Sequence, residues 1–138
     1  MRRLTVLLLF ALPACSGTLY NTTRASTSGA PDDVYQCVQN QLKTMGYRRM
    51  QYDAMDRWYL AEKEETGVQV SSGLYRKSWI TLDTRVRPNA DGTTGLEITA
   101  HSYQEYASAR GPDRTEQQVS AKAKLDAKAL HEACAPQP

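Results

Sequence analysis

Trp79-Ile80-Thr81-Leu82-Asp83-Thr84-Arg85-Val86 alternates without a break. Ile80, Leu82, Thr84 and Val86 face one way, and Trp79, Thr81, Asp83 and Arg85 the other. A period of two over eight residues is the signature of a half-buried strand. Pro88-Asn89-Ala90-Asp91-Gly92 follows and is dense in turn-forming residues. Leu96, Ile98 and Ala100 then alternate with Glu97, Thr99 and His101. Two alternating runs joined by a turn predict an antiparallel hairpin with one apolar and one wet face. An apolar sheet face has to be covered, so the fold turns on what the flanking segments supply.

On the N-terminal side, Val34, Cys37, Val38, Gln41, Leu42 and Met45 recur at helical spacing. Asp32 and Asp33 suit the start of a helix, and Gly46 suits its end. The spacing predicts a helix over 33–45. Tyr47–Tyr52 and Arg57–Glu64 read as strands around the turn Asp53-Ala54-Met55-Asp56. Glu65–Lys77, with Gly67 and Gly73, reads as a long connection, and Glu62, Lys63, Glu64 and Glu65 as a solvated charge run. On the C-terminal side, Gly111-Pro112-Asp113 breaks the last strand. Thr115-x-x-Gln118 resembles a capping box, ahead of a helix over about 116–133 with Val119, Ala123, Ala127, Leu130 and Cys134 on one face. The order is α-β-β-β-β-α. It predicts an α+β two-layer sandwich, with two helices packed on one face of an antiparallel sheet.

Composition fits one domain. The 138 residues are 41% hydrophobic and 23% charged, enough for a packed core. Of 17 basic residues, Arg2 and Arg3 lie in an apparent leader, so fifteen remain against 15 acidic ones. A neutral chain lacks the electrostatic case for a nucleic-acid partner.

The leader is Met1-Arg2-Arg3 followed by an apolar run from Leu4 to Leu12. That run is too short for a spanning helix, which needs about 20 residues, and has the form of a signal peptide over 1–14. It ends in Leu12-Pro13-Ala14-Cys15, which resembles the lipobox of bacterial lipoproteins. The resemblance implies cleavage before Cys15, a diacylglycerol thioether on its sulfur and, usually, a fatty acyl group such as palmitate on the new amino terminus. Several acyl chains anchor firmly, at about 0.8 kcal/mol per buried methylene. Ser16 resembles the outer-membrane-directed pattern, implying a lipid-anchored protein facing the periplasm. Residues 15–31 then read as the lipidated N-terminus and a flexible Ser/Thr/Gly-rich tether, with a single domain over 32–138.

Beyond the inner membrane, the thiols of Cys37 and Cys134 are expected to pair. Each lies on an inward helix face, Cys37 near the start of the first helix and Cys134 at the end of the second. Antiparallel packing would bring them together. A loop of about 100 residues closed this way is worth about 4–5 kcal/mol in chain entropy. Free buried thiols, or a metal held by Cys37, His131 and Cys134 with His101, are the alternatives.

No nucleophile elbow, P-loop, dinucleotide fingerprint or metalloprotease helix is present. His101 and His131 are isolated, and no cofactor is expected. The chain reads as non-enzymatic: an interaction or scaffold module meeting other envelope proteins or polymer. Its general shape is similar to small accessory lipoproteins. A small-molecule or lipid-binding module, with its ligand between sheet and helices, is the alternative. Tyrosine is enriched, eight against one phenylalanine, and clusters in the β region. Trp79 is expected on the wet face, where a large exposed aromatic calls for a cover or a partner. Tyr75, Arg76, Lys77 and Trp79 are therefore the candidate interaction surface.

Overall fold

The computed structural model describes residues 17–65 and 75–136. The order is β1 (Tyr20–Thr27), α1 (Pro31–Thr44), β2 (Arg48–Asp53), β3 (Trp58–Glu65), β4 (Tyr75–Pro88), β5 (Thr94–Ser108), β6 (Gly111–Gln117) and α2 (Ala121–Cys134). The molecule is an α+β fold in which both helices cover one face of an antiparallel sheet. The α-β-β-β-β-α order expected from sequence is corrected at two places, where a linker and a helix cap are strands. The expected connection Glu65–Lys77 is corrected at both ends, where Glu65 completes β3 and Tyr75–Lys77 open β4; residues 66–74 lie outside the described residues.

The hairpin at the centre is as its alternation predicts. β4 and β5 pair with Leu82 opposite Ala100, Thr84 opposite Ile98 and Val86 opposite Leu96. β3 joins on the far side of β4, and β2 joins β3 as the outer edge. Every residue of β2 is exposed, so this strand is held by its ladder to β3 and by side chains on the sheet face.

The first correction is the tether. Residues 20–27 form β1, which lies against β5 with Thr23 opposite Ile98 and Ala25 opposite Leu96. A strand at a sheet edge needs a partner more than it needs apolar residues. Thr22, Thr23 and Thr27 supply branched side chains, and Ala25 alone is buried in the core. The second correction is β6. It contains Pro112, which an edge strand tolerates because its missing N–H can point away from the ladder. Gly111, at φ +110, adopts a conformation disfavoured for other residues and closes the turn from β5. β4 occupies one side of β5 for nearly its whole length. β1 and β6 therefore share the other side end to end, β1 along 94–101 and β6 along 102–108.

The displaced cap moves the second helix. Its N-cap is Ser120, whose Oγ accepts the Ala123 N–H at 3.1 Å, rather than Thr115. The Ser120 N–H in turn donates to Ser102 Oγ at 3.0 Å, tying the helix start to β5. α1 begins on Pro31 with Asp32 and Asp33 in its first turn, the arrangement favoured by the helix dipole. Gly46, at φ +82, follows its end.

The core lies between the helices and the sheet. Val38 and Leu42 of α1, Leu130 of α2, and Ile80, Leu82 and Ile98 of the sheet are fully buried. Each such side chain contributes about 1.5–3 kcal/mol relative to exposure. Cys37 and Cys134 form a disulfide joining α1 to the end of α2.

Candidate functional site

Strand alternation sends a second set of side chains to the face away from the helices. The register aligns them in rows across the strands. Arg24, Glu97, Arg85, Trp58 and Asp53 make one row. Tyr20, His101, Thr81, Glu62 and Arg48 make another. Glu116, Tyr103, Trp79 and Glu64 follow, then Arg114, Glu105 and Lys77. Neither helix roofs this face.

Its most ordered part surrounds Trp79. The Arg114 guanidinium stands 4.4 Å from the centre of the indole, and the Lys77 ammonium 5.5 Å. Trp79 Nε1 donates to Glu105 Oε2 at 3.1 Å. Arg114 also donates to Glu62 Oε2 at 2.7 Å and Glu105 Oε2 at 3.2 Å. Arg48 reaches the other oxygen of Glu62 at 2.5 Å, and Lys77 bridges to Glu64 at 3.1 Å. Glu62, Glu64 and Glu105 are thus answered by Arg48, Arg114 and Lys77, charge for charge. Glu62 is only 2% exposed despite lying on the open face. Burial pushes its carboxyl pKa up, but hydrogen bonds from Arg48 and Arg114 outweigh burial and hold it below the ordinary value. Burial pulls the Arg114 pKa down, and Glu62 and Glu105 more than restore it.

Trp79 is therefore covered by side chains of β6 and of its own strand. Lys77 shares the site with it, as the sequence suggests. Tyr75 and Arg76 belong to β4, with Tyr75 in register with Tyr106, but their side chains are outside the described residues. Cys15 is outside them too. Sequence reasoning missed Arg114, Arg48, Glu105 and Glu62. Glu62 was readable: once Ala61 is inward, the period of two puts 62 and 64 outward and Lys63 inward. Arg114 sits in a segment whose glycine and proline hide the strand.

Further along the face, Trp58 Nε1 donates to Asp83 Oδ1 at 2.7 Å. His101 Nδ1 is 2.6 Å from Glu116 Oε1, and its ring lies against Tyr103 and Tyr20. Burial, with the nearby Glu116 charge, raises the Tyr103 phenol pKa. Near Trp58 a surface cleft of about 520 Å³ is bounded by Arg57, Arg85 and Arg87. Among the described residues, no three His, Cys, Asp or Glu side chains stand where they could hold a metal.

On the helix side, a polar cluster is embedded at the core's margin. Lys63 Nζ is 2.5 Å from Asp126 Oδ2 and 4.5 Å from the centre of the Tyr47 ring. Tyr47 donates to the same oxygen at 2.8 Å, and Lys122 pairs with Oδ1. Burial raises the Asp126 carboxyl pKa, but Lys122, Lys63 and Tyr47 together bring it below the ordinary value. Burial and the Asp126 carboxylate push the Tyr47 phenol strongly up. This cluster pins β3 to α2 and faces inward.

No family model matches the chain, and no curated protein matches it. Among solved structures, the chain is similar to the crystal structure of Ara h 8.0201. The two are 9% identical, the match covers 83% of this chain and 91% of that one, and the TM-score is 0.48. So loose a likeness carries nothing about function.

Proposed function

We propose that this chain is a lipid-anchored protein of a bacterial envelope, acylated at Cys15, whose domain is a non-enzymatic interaction module. The outer membrane, with the domain facing the periplasm, is the location its leader supports. Its partners are other envelope proteins or polymer, met through the open face of the sheet. One observation carries the interaction half of this proposal. Trp58, Trp79 and Tyr103 lie on a face that no helix roofs, among ion pairs that fix their neighbours. Aromatic and arginine side chains held in place suit recognition, because little freedom remains to be lost on binding. Balanced charge on this face favours a partner without strong net charge.

A photo-crosslinking residue placed at Thr81 or Arg85, on the open face, should yield adducts in the native envelope. The same residue at Ala129, on the outer side of α2, should yield none. Adducts from Ala129 alone would overturn the choice of face.

A second function, binding of a small ligand, has support from the cleft beside Trp58. It does not have the location expected for it, since fully buried side chains fill the space between sheet and helices. A thermal-shift screen separates the two functions, because only a ligand binder gains stability from small molecules.

A further inference from the structure

The turn from β2 to β3 ends on a residue unsuited to its backbone. Asp53 Oδ1 accepts the N–H of Met55 at 2.8 Å and of Asp56 at 3.2 Å, which folds the chain back. Arg57 follows at φ +47, and among the described residues every other positive φ belongs to a glycine. A Cβ is crowded in that left-handed conformation. The Arg57 carbonyl accepts the Val86 N–H at 3.1 Å, so the sheet needs this backbone shape. It does not need the side chain, since a glycine would supply the same carbonyl without the strain. Arg57 Nε does reach Asp32 Oδ1 at 2.7 Å. Asp32 is exposed, however, and such a pair contributes little. Strain of this kind, held where stability does not call for it, points to a use for the side chain.

That side chain borders the cleft of about 520 Å³ beside Trp58, a volume usual for small-molecule sites. Arg85 and Arg87 border the same cleft, and they also border a second one of about 200 Å³. Two residues apart on β4, they share a face about 7 Å from one another. Other arginines of the open face are spent. Arg24, Arg48 and Arg114 each meet a glutamate at 2.5–2.7 Å. Arg87 makes no ion pair among the described residues. Arg85 has Asp83 at 3.8 Å, but that Asp83 oxygen already accepts from Trp58 Nε1 at 2.7 Å. Of the two acids bordering the cleft, Asp53 is engaged by the turn, and Asp56 has no ion pair among the described residues. Guanidinium donors thus stand unspent beside an indole that a hydrogen bond holds in place.

We infer that Arg57, Arg85 and Arg87 bind the oxyanion, phosphate or carboxylate, of a free small molecule whose ring or apolar body lies against Trp58. The planar fork of each guanidinium matches two oxygens of such a group. The inference deepens the ligand-binding function given above and does not depend on acylation.

The test is calorimetric titration of the full chain in detergent micelles with phenyl phosphate, inorganic phosphate and benzyl alcohol. Phenyl phosphate should bind about two- to tenfold more tightly than inorganic phosphate, the worth of one ring contact. Benzyl alcohol should not bind. Phosphatidylglycerol added to the micelles should not displace phenyl phosphate. Arg85→Gln with Arg87→Gln should weaken phenyl phosphate at least about tenfold. Arg57→Gly should weaken it too, without lowering the Tm of the ligand-free chain, because glycine adopts the turn unstrained.

Equal affinity in the parent and the glutamine pair would overturn the inference. So would an Arg57→Gly chain that loses Tm and keeps its affinity, or displacement by phosphatidylglycerol, which would make the ligand a lipid headgroup. Benzyl alcohol binding as tightly as phenyl phosphate would overturn the oxyanion and leave the ligand-binding function standing. No binding of phenyl phosphate would overturn the inference, and a thermal-shift screen without a single stabilising compound would overturn the ligand-binding function as well.

Discussion

The guanidinium of Arg114 stands 4.4 Å from the centre of the Trp79 ring. The same arginine binds Glu62, which is 2% exposed on an open sheet face. β6 thus closes the ion-pair network that spans five strands. Arg114→Ala removes the ring contact and two charged hydrogen bonds, leaving Glu62 with Arg48 alone. The expected loss is about 2–4 kcal/mol, read as a fall in the urea midpoint. Arg114→Lys keeps the charge without the fork and should lose about half as much. An unchanged midpoint in both variants would mean that the network is ornamental.

Residues 20–27 provide a second test. A flexible tether could be removed without effect, but β1 covers an edge of β5 and buries Ala25. A chain beginning at Asp32 should be strongly destabilised or fail to fold. Ala25→Asp, which would bury an unpaired carboxylate at the one core position of β1, should destabilise the fold strongly. Thermal unfolding of the non-acylated chain, with and without these changes, gives the answer.

The disulfide closes a loop with a sequence separation of 97 residues. Reduction, or the pair Cys37→Ser and Cys134→Ser, should cost about 2–5 kcal/mol. At about 3–6 °C per kcal/mol for a domain of this size, Tm should fall by about 6–30 °C, and the loss is a large share of a total stability of about 5–15 kcal/mol. Equal Tm values with and without reductant would show that the packing of α1 on α2 suffices.

Stability should decline at both ends of the pH scale. Asp126 and Glu62 have folded pKa values below the ordinary carboxylate values. Their contribution is therefore full above the ordinary carboxylate range, near about 4. It is lost as pH falls through the depressed values. Tyr47 has the opposite sign. Its folded pKa is raised, so its contribution is full below the ordinary phenol value of about 10 and is lost as pH rises beyond it. Urea midpoints from pH 2 to 11 should trace a plateau with two falling limbs. Glu62→Gln should flatten the acid limb, and Tyr47→Phe the alkaline one.

The parts of the fold legible in the sequence were those where apolar spacing carries the signal. The 79–101 hairpin and the face from Val34 to Met45 bury their periodic residues as the pattern predicts. β1 and β6 carry almost no such signal. Both are edge strands, so their ladder to β5 holds them, and polar, glycine and proline residues do not betray them. The site was legible only to the extent that Trp79 and Lys77 face outward. What covers Trp79 is Arg114, a residue of the unread strand, and the burial of Glu62 depends on the same strand. The disulfide was readable because two helix faces, and the oxidising compartment that the leader implies, point to the same pair.

The most direct test of this account is the intact mass of the protein from its native membrane fraction, before and after reduction with alkylation. The account predicts a chain that starts at Cys15, carries acyl chains, and gains two alkyl groups only after reduction. A mass without acyl chains, or two thiols that react before reduction, would contradict it.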